Sequence, residues 1–341
     1  MTLVRAETRR LFKRRFTRWM LVFVVLVLGT VVAGIAATNR AHTPAEVAAA
    51  EAEAGRFLAE QQRWMEQEIE ACERAQESGD AIRQGLPGDC AEIRQWYEQD
   101  SEAFTEQFLP PTFHFRSQFG NLITVFAGLL ALFAFIVGAS FIGAEWRSGA
   151  MTNLLLWRPG RLGVLGTKLA TLLAALTGLV VLLGAVWTAA FWLVATYRGV
   201  TDTMTSGAWQ SFGLTGLRAL ALVLVAGAVG FAVSSIGRHT ATALGAVIAA
   251  FVVGYVAVAA LVNSVRVSHP DAWLWPNYLA AWMSKSVTFT DFDACDFSGP
   301  GDLCEPEHYE ITWQMAGIGM AGLVILLVGG ALWHIRSRDV T

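Results

Sequence analysis

Gly143-Ala-Glu-Trp-Arg-Ser-Gly-Ala-Met-Thr-Asn-Leu-Leu-Leu-Trp-Arg-Pro-Gly-Arg-Leu-Gly-Val-Leu-Gly-Thr-Lys168 separates two long apolar runs. It carries Glu145, Arg147, Arg158, Arg161 and Lys168, so it belongs in water on one side of a bilayer. Proline ends a helix and pushes the residue before it towards extended geometry. The pattern therefore predicts a short helix from about Glu145 to Leu156, a stop at Arg158-Pro159-Gly160, and a restart into the next apolar run. Such a loop is a compact knob rather than a tether.

Outward from this loop, the chain reads as a polytopic membrane protein. Of its 341 residues 54% are hydrophobic, and a mean hydropathy of +0.46 is too high for one soluble domain. About 20 helical residues cross a hydrocarbon core of about 30 Å. Six runs are long enough: Trp19 to Ala37, Leu122 to Ile142, Gly166 to Ala195, Leu214 to Ile236, Ala241 to Val262 and Met315 to Trp333. All nine prolines fall outside them. Lys168 opens the third run and Arg218 stands in the first turns of the fourth, where a long guanidinium side chain reaches the interface at little cost.

Basic residues set the orientation. The ends and loops on the side of Gly143–Lys168 hold 14 Lys and Arg against three acidic residues, Glu7, Glu145 and Asp339, whereas the three opposite loops hold ten against 25. Both termini are expected in the cytoplasm of a plasma-membrane protein. Cys72, Cys90, Cys295 and Cys304 all fall on the opposite, oxidising side. Four cysteines allow three pairings; Cys72 with Cys90 and Cys295 with Cys304 is favoured because each pair lies in one loop. No His stands at metal-ligand spacing from them.

Residues 1–18 mix seven basic residues with Val4, Leu11, Phe12 and Phe16, as suits an amphipathic cytoplasmic helix in the headgroup layer; nucleic-acid binding fits poorly. The first span, 19–37, is longer than the ~7–15-residue apolar core of a signal peptide. Residues 38–118 predict an extracellular helical hairpin. Thr43-Pro44-Ala45-Glu46 is a capping box with proline at the first helical position, an apolar stripe continues to Cys72, Gly79 to Gly88 break it, and a second helix begins near Ala91 and stops at Pro110-Pro111. Residues 119–341 hold spans two to six, with the 143–168 loop, a tight turn at Gly237-Arg238-His239-Thr240, and an outer segment over 264–312. Within that segment Trp273 to Trp282 is too short to span and reads as interfacial or re-entrant.

Catalytic constellations are missing from the sequence. Gly160-Arg-Leu-Gly-Val-Leu-Gly-Thr-Lys168 ends in Gly-Thr-Lys, whereas a phosphate-binding loop needs Gly-Lys-Ser/Thr, so the chain is not expected to bind ATP. The six His are scattered, and no metal or cofactor site is expected. The spans offer no Asp, Glu or His between their ends to bind a coupling ion, so energy for any transport must come from elsewhere.

The sequence Glu145-Trp-Arg-Ser-Gly-Ala-Met151, the leucine run, Arg158-Pro-Gly-Arg161-Leu162 and a basic residue opening the next span resemble the first cytoplasmic loop of type 2 ABC exporter permeases. The turn at Arg238 is placed like that family's second cytoplasmic contact, and the segment before the last span fits its layout. The resemblance implies an all-α permease with six transmembrane helices, not itself an enzyme. It implies two copies of an ABC ATP-binding subunit as partner, a second permease subunit taken as a homodimer, alternating access, and export of a substrate the sequence does not name. It also implies contact with the ATPase through Glu145, Trp146, Arg147, Met151, Leu155, Trp157, Arg158, Arg161 and Arg238. The alternative is a non-transporting sensory or structural membrane protein whose outer hairpin binds a ligand or partner.

Overall fold

The structure, a computed structural model, describes residues 3–77, 90, 93, 105–157, 160–201, 204–265, 269–291 and 307–337. It is all-α in class, with two short strand pairs. Six helices are long and apolar enough to cross a membrane: Arg15–Thr38, Phe115–Arg147, Arg161–Arg198, Ser206–Gly237, Thr240–Val265 and Trp313–Ser337. Each contains one of the six apolar runs, extended by the polar turns that the hydropathy pattern leaves at its ends.

In chain order the elements are α1 (Leu3–Lys13), α2 (Arg15–Thr38), α3 (Pro44–Glu77), β1 (Phe113–His114), α4 (Phe115–Arg147), α5 (Ala150–Trp157), α6 (Arg161–Arg198), β2 (Gly199–Val200), α7 (Ser206–Gly237), α8 (Thr240–Phe251), α9 (Val258–Val265), α10 (Trp275–Ser284), β3 (Ser286–Asp291), β4 (Glu307–Thr312) and α11 (Trp313–Ser337). A π-helical turn, Val252–Ala257, joins α8 to α9 into one span. The chain divides into two compact units, residues 1–32, 116–191 and 203–341 in one and residues 33–115 and 192–202 in the other.

In the larger unit α4 and α7 cross in backbone contact. A Cβ on Gly138 would collide with the carbonyl oxygen of Gly227, and one on Gly230 with that of Phe135, so small residues set this approach, as expected where apolar lipid gives helices no hydrophobic reason to associate. Further along, α10 packs beside α7 and α11: Trp282 Nε1 donates to the Arg218 carbonyl at 2.9 Å, and the Arg218 guanidinium lies 5.3 Å from the Trp313 ring centre. The segment before the last span is more ordered than an interfacial stretch requires. A 3₁₀ turn, Pro270–Trp273, and the ten-residue α10 lead into β3, which pairs antiparallel with β4 from Ser286↔Thr312 to Asp291↔Glu307. Val287 and Phe289 on β3 and Ile311 on β4 close over Ala281 of α10, so this ribbon folds on an apolar face of its own.

In the smaller unit, the capping box forms as the sequence predicts. Thr43 N–H donates to Glu46 Oε2 at 2.9 Å, Glu46 N–H returns to Thr43 Oγ1 at 3.3 Å, and Arg40 pairs with Glu46 at 2.8 Å. The two Thr43 hydrogen bonds, backbone first, hold the Glu46 carboxyl below the usual range. Cys72 and Cys90 have Cα atoms 5.8 Å apart with their sulfurs joined, among Met65, Ile69 and Ile93. β1 and β2 pair in parallel, Phe113 opposite Gly199. Most of the expected second hairpin helix lies outside the described residues, as do Cys295 and Cys304.

Candidate functional site

The 143–168 loop is built differently from its sequence expectation at one point. The apolar helix α4 continues through Glu145 to Arg147, and the chain turns at Gly149, whose φ of +68° suits glycine and costs other residues. Only then does the short helix α5 begin. Glu145 is thus the last turn of a span rather than the start of the knob, and it is turned inward, 5% exposed.

It faces a cluster assembled from three parts of the chain. Lys168, fully buried in the second turn of α6, places its Nζ 2.7 Å from Glu7 Oε2 and 2.7 Å from Glu145 Oε2. Arg14, between α1 and α2, donates from Nη2 to Glu145 Oε1 at 2.9 Å and from Nη1 to the carbonyls of Ser140 and Phe141 at 3.1 and 3.0 Å. The Phe141 ring lies under both cations, 5.3 Å from Arg14 and 5.4 Å from Lys168. Glu7, buried too, has Arg10 at 3.4 Å as its outer neighbour. Two carboxylates and two cations leave no net charge in the buried group, the condition under which buried ions are tolerated at all.

Local sequence explains how α1 delivers its share. Glu7 and Leu11 are spaced i, i+4 and so share one face of α1, with Arg14 just past its end; Glu7 and Leu11 are buried, whereas Phe12, Phe16 and Trp19 are exposed. The amphipathic helix expected from the sequence exists, but part of its inward face is polar.

The other expected contact residues divide. Trp146 and Arg238 meet, the guanidinium 5.0 Å from the indole ring centre; Arg238 is the left-handed residue that ends α7, and His239 then caps α8 by accepting from Ala241 N–H at 3.0 Å. Arg147 is exposed and Arg161 half-buried, while Met151 is fully buried and offers no outward area. Leu155 and Trp157 belong to α5, and Arg158 falls outside the described residues. An open cleft of about 570 Å³ lies between α1 and α5, lined by Arg10, Arg14, Glu145, Ser148, Asn153 and Leu154. Among the described residues there is no His, Cys, Asp and Glu grouping fit to hold a metal.

The family described as ABC-2 family transporter protein matches residues 1–334. The chain belongs to the ABC-2 transporter family. Comparison with curated proteins and with solved structures returns no match. As an ABC-2 protein, it is the multi-pass permease part of an ABC transporter, a part that associates with an ABC ATP-binding subunit. The buried cluster thus lies beside the loop that resembles the permeases' coupling loop. Sequence reading missed Glu7, Arg14 and Lys168 as a group; the one available signal was a lone acidic residue in a strongly basic amphipathic helix.

Proposed function

We propose that this permease exports its substrate by coupling to ATP hydrolysis on a separate subunit, and that residues 145–161, with Arg238, receive the nucleotide-dependent motion. The functional unit is taken as two copies of this chain with two ATP-binding subunits, in the plasma membrane, with both termini in the cytoplasm and Cys72–Cys90 and Cys295–Cys304 as outer disulfides. The observation that carries the reading is the joint just described: α5 is a short helix between two spans, and the spans on either side of it are tied to each other and to α1 by buried ion pairs. A push on α5 is therefore delivered to α4, α6 and α1 together.

Single cysteines at Arg147, Asn153, Leu154 and Arg238, exposed or half-buried positions, test the assignment by cross-linking to the ATP-binding subunit with and without nucleotide. Nucleotide-dependent cross-links are expected at two or more of them. No cross-link at any position from 145 to 158 would remove the coupling role.

A further inference from the structure

Where α1, α2, α4 and α6 come together, the larger unit carries a narrow crevice lined by Leu11 of α1, Arg18 and Leu21 of α2, Phe133 and Val137 of α4 and Leu176 of α6. Its free volume of about 30 Å³ is a small fraction of the ~300–1,000 Å³ of a ligand pocket. Nothing broader than part of one hydrocarbon chain fits it.

The crevice lies at membrane depth. Val137 stands ten residues before the end of α4 and Leu176 fifteen after the start of α6, about 15 and 22 Å along helices that rise 1.5 Å per residue. Lipid meets these apolar walls; a cytosolic protein does not. Arg18 is the one charged residue among those described as lining the crevice. It is exposed, as are Arg15 and Trp19, the last by 72%. Arg15, Arg18 and Trp19 are spaced i, i+3 and i+4 and so share one face of α2. Tryptophan collects at the membrane interface, so this face marks the level of the lipid headgroups, and Leu21 follows one turn deeper.

Nothing in the four helices offsets the cations there. Their only carboxylates are Glu7 and Glu145, both buried against Lys168. Arg10 and Arg14 turn towards that pair, whereas Arg9, Lys13, Arg15 and Arg18 are exposed. Asp and Glu are missing from residues 8–45 and from residues 146–201. An uncompensated basic face therefore stands at the mouth of a chain-wide apolar crevice.

We propose that this crevice holds one acidic phospholipid, with its phosphate between Arg15 and Arg18 and one acyl chain running past Leu21 against Phe133, Val137 and Leu176. The crevice takes the chain, Trp19 sets the depth, and the two guanidiniums choose the headgroup. Phosphatidylcholine brings the same phosphate with an ammonium attached, which the guanidiniums repel. One basic side chain beside an anionic lipid surface is worth about fivefold in binding. That the lipid belongs to the inner leaflet rests on the orientation proposed above; the site itself does not.

The test uses the full chain, without any ATPase, in phosphatidylcholine nanodiscs. Each preparation carries a trace of either phosphatidylglycerol or phosphatidylcholine bearing a diazirine at the same acyl position. Adducts are mapped by mass spectrometry and counted in the crevice-lining parts of α2, α4 and α6 relative to the middle of α11. At low salt the phosphatidylglycerol probe should exceed the phosphatidylcholine probe in the crevice by at least about fivefold, with near-equal adducts on α11. Arg15→Gln with Arg18→Gln should bring the crevice ratio to within about twofold of unity, as should ~1 M salt, where the Debye length is about 3 Å. Arg9→Gln with Lys13→Gln removes as much charge from the same region and should keep most of the preference. Equal adducts of the two lipids in the crevice of the unaltered chain would overturn the site and leave its cations to an acidic protein surface. Equal loss in the two double variants would overturn the placement at Arg15 and Arg18, since only a diffuse attraction treats the four cations alike. Neither nucleotide nor partner takes part, so this result and the cross-linking result fail independently.

Discussion

Lys168→Met is the sharpest perturbation of the joint. The ammonium is fully buried, with one oxygen of Glu7 and one of Glu145 each 2.7 Å away. Removing it takes the buried group from neutral to a net charge of minus one and leaves Glu7 only the exposed Arg10 at 3.4 Å. Breaking a buried pair by deleting one partner costs about 3–5 kcal/mol, whereas replacing both partners by apolar residues of similar volume is often neutral or better. Lys168→Met should therefore destabilise by about that amount. Adding Glu7→Leu should restore most of it, giving a coupling energy near the upper end of the ~0.5–3 kcal/mol seen for touching residues. Denaturant unfolding in nanodiscs, followed by tryptophan fluorescence, measures both variants, and a cysteine at the buried Leu11 reports separately on whether α1 has come away. A single variant within about 1 kcal/mol of the parent, or strict additivity in the double variant, would refute the argument that these charges exist as a mutually neutralising set.

Four further outcomes follow from other parts of the fold. Gly138→Ala drives a methyl into the Gly227 carbonyl oxygen, and overpacking of this kind should cost about 1–3 kcal/mol, visible as earlier thermal unfolding in detergent. Cys72→Ser with Cys90→Ser opens a loop of sequence separation 18 and should cost about 3 kcal/mol in the chain-entropy model; non-reducing peptide mass spectrometry of the parent chain checks that the bond is present. The Glu46 carboxyl is held below its usual range by Thr43, so the stability it gives the start of α3 is complete above the unfolded pKa and is lost as pH falls through the folded one; the hydrogen-exchange protection factor at Val47, corrected for the slower intrinsic exchange in acid, should fall in mild acid and do so less in Thr43→Ala. On the loop, Arg147→Ala should weaken partner binding only modestly, because an exposed ion pair is worth about 0–1 kcal/mol, whereas Trp157→Ala or Leu155→Glu should damage assembly, as read by co-purification of the ATP-binding subunit.

The spans were legible because each is a run of about 20 apolar residues with the prolines and most charges excluded, a signal that needs no partner to interpret. The capping box at Thr43 was legible for the same reason, all its atoms lying within four residues. The inward turn of Glu145 was not. It depends on Gly149 taking a positive φ, so that α4 runs on one turn further, and on Lys168 and Arg14, which come from 23 residues downstream and 131 upstream. Read alone, Glu145 looks like a surface charge whose loss is mild; in the fold it is half of a buried pair. The β3–β4 ribbon was also passed over, although Val287-Thr-Phe-Thr290 and Tyr309-Glu-Ile-Thr312 carry the alternating β-branched and aromatic residues that favour strands.

The joint around Lys168 separates the molecule's charges into two populations with different responses to ionic strength. Mobile ions screen exposed charges within a Debye length of about 8 Å at physiological salt but act far less on buried pairs. Raising salt therefore weakens whatever Arg147 holds on to, while Lys168, fully buried between Glu7 and Glu145, keeps its grip on both, and the partly exposed Arg14 is screened less than Arg147. High salt therefore acts on the exposed loop without loosening the buried joint beneath it.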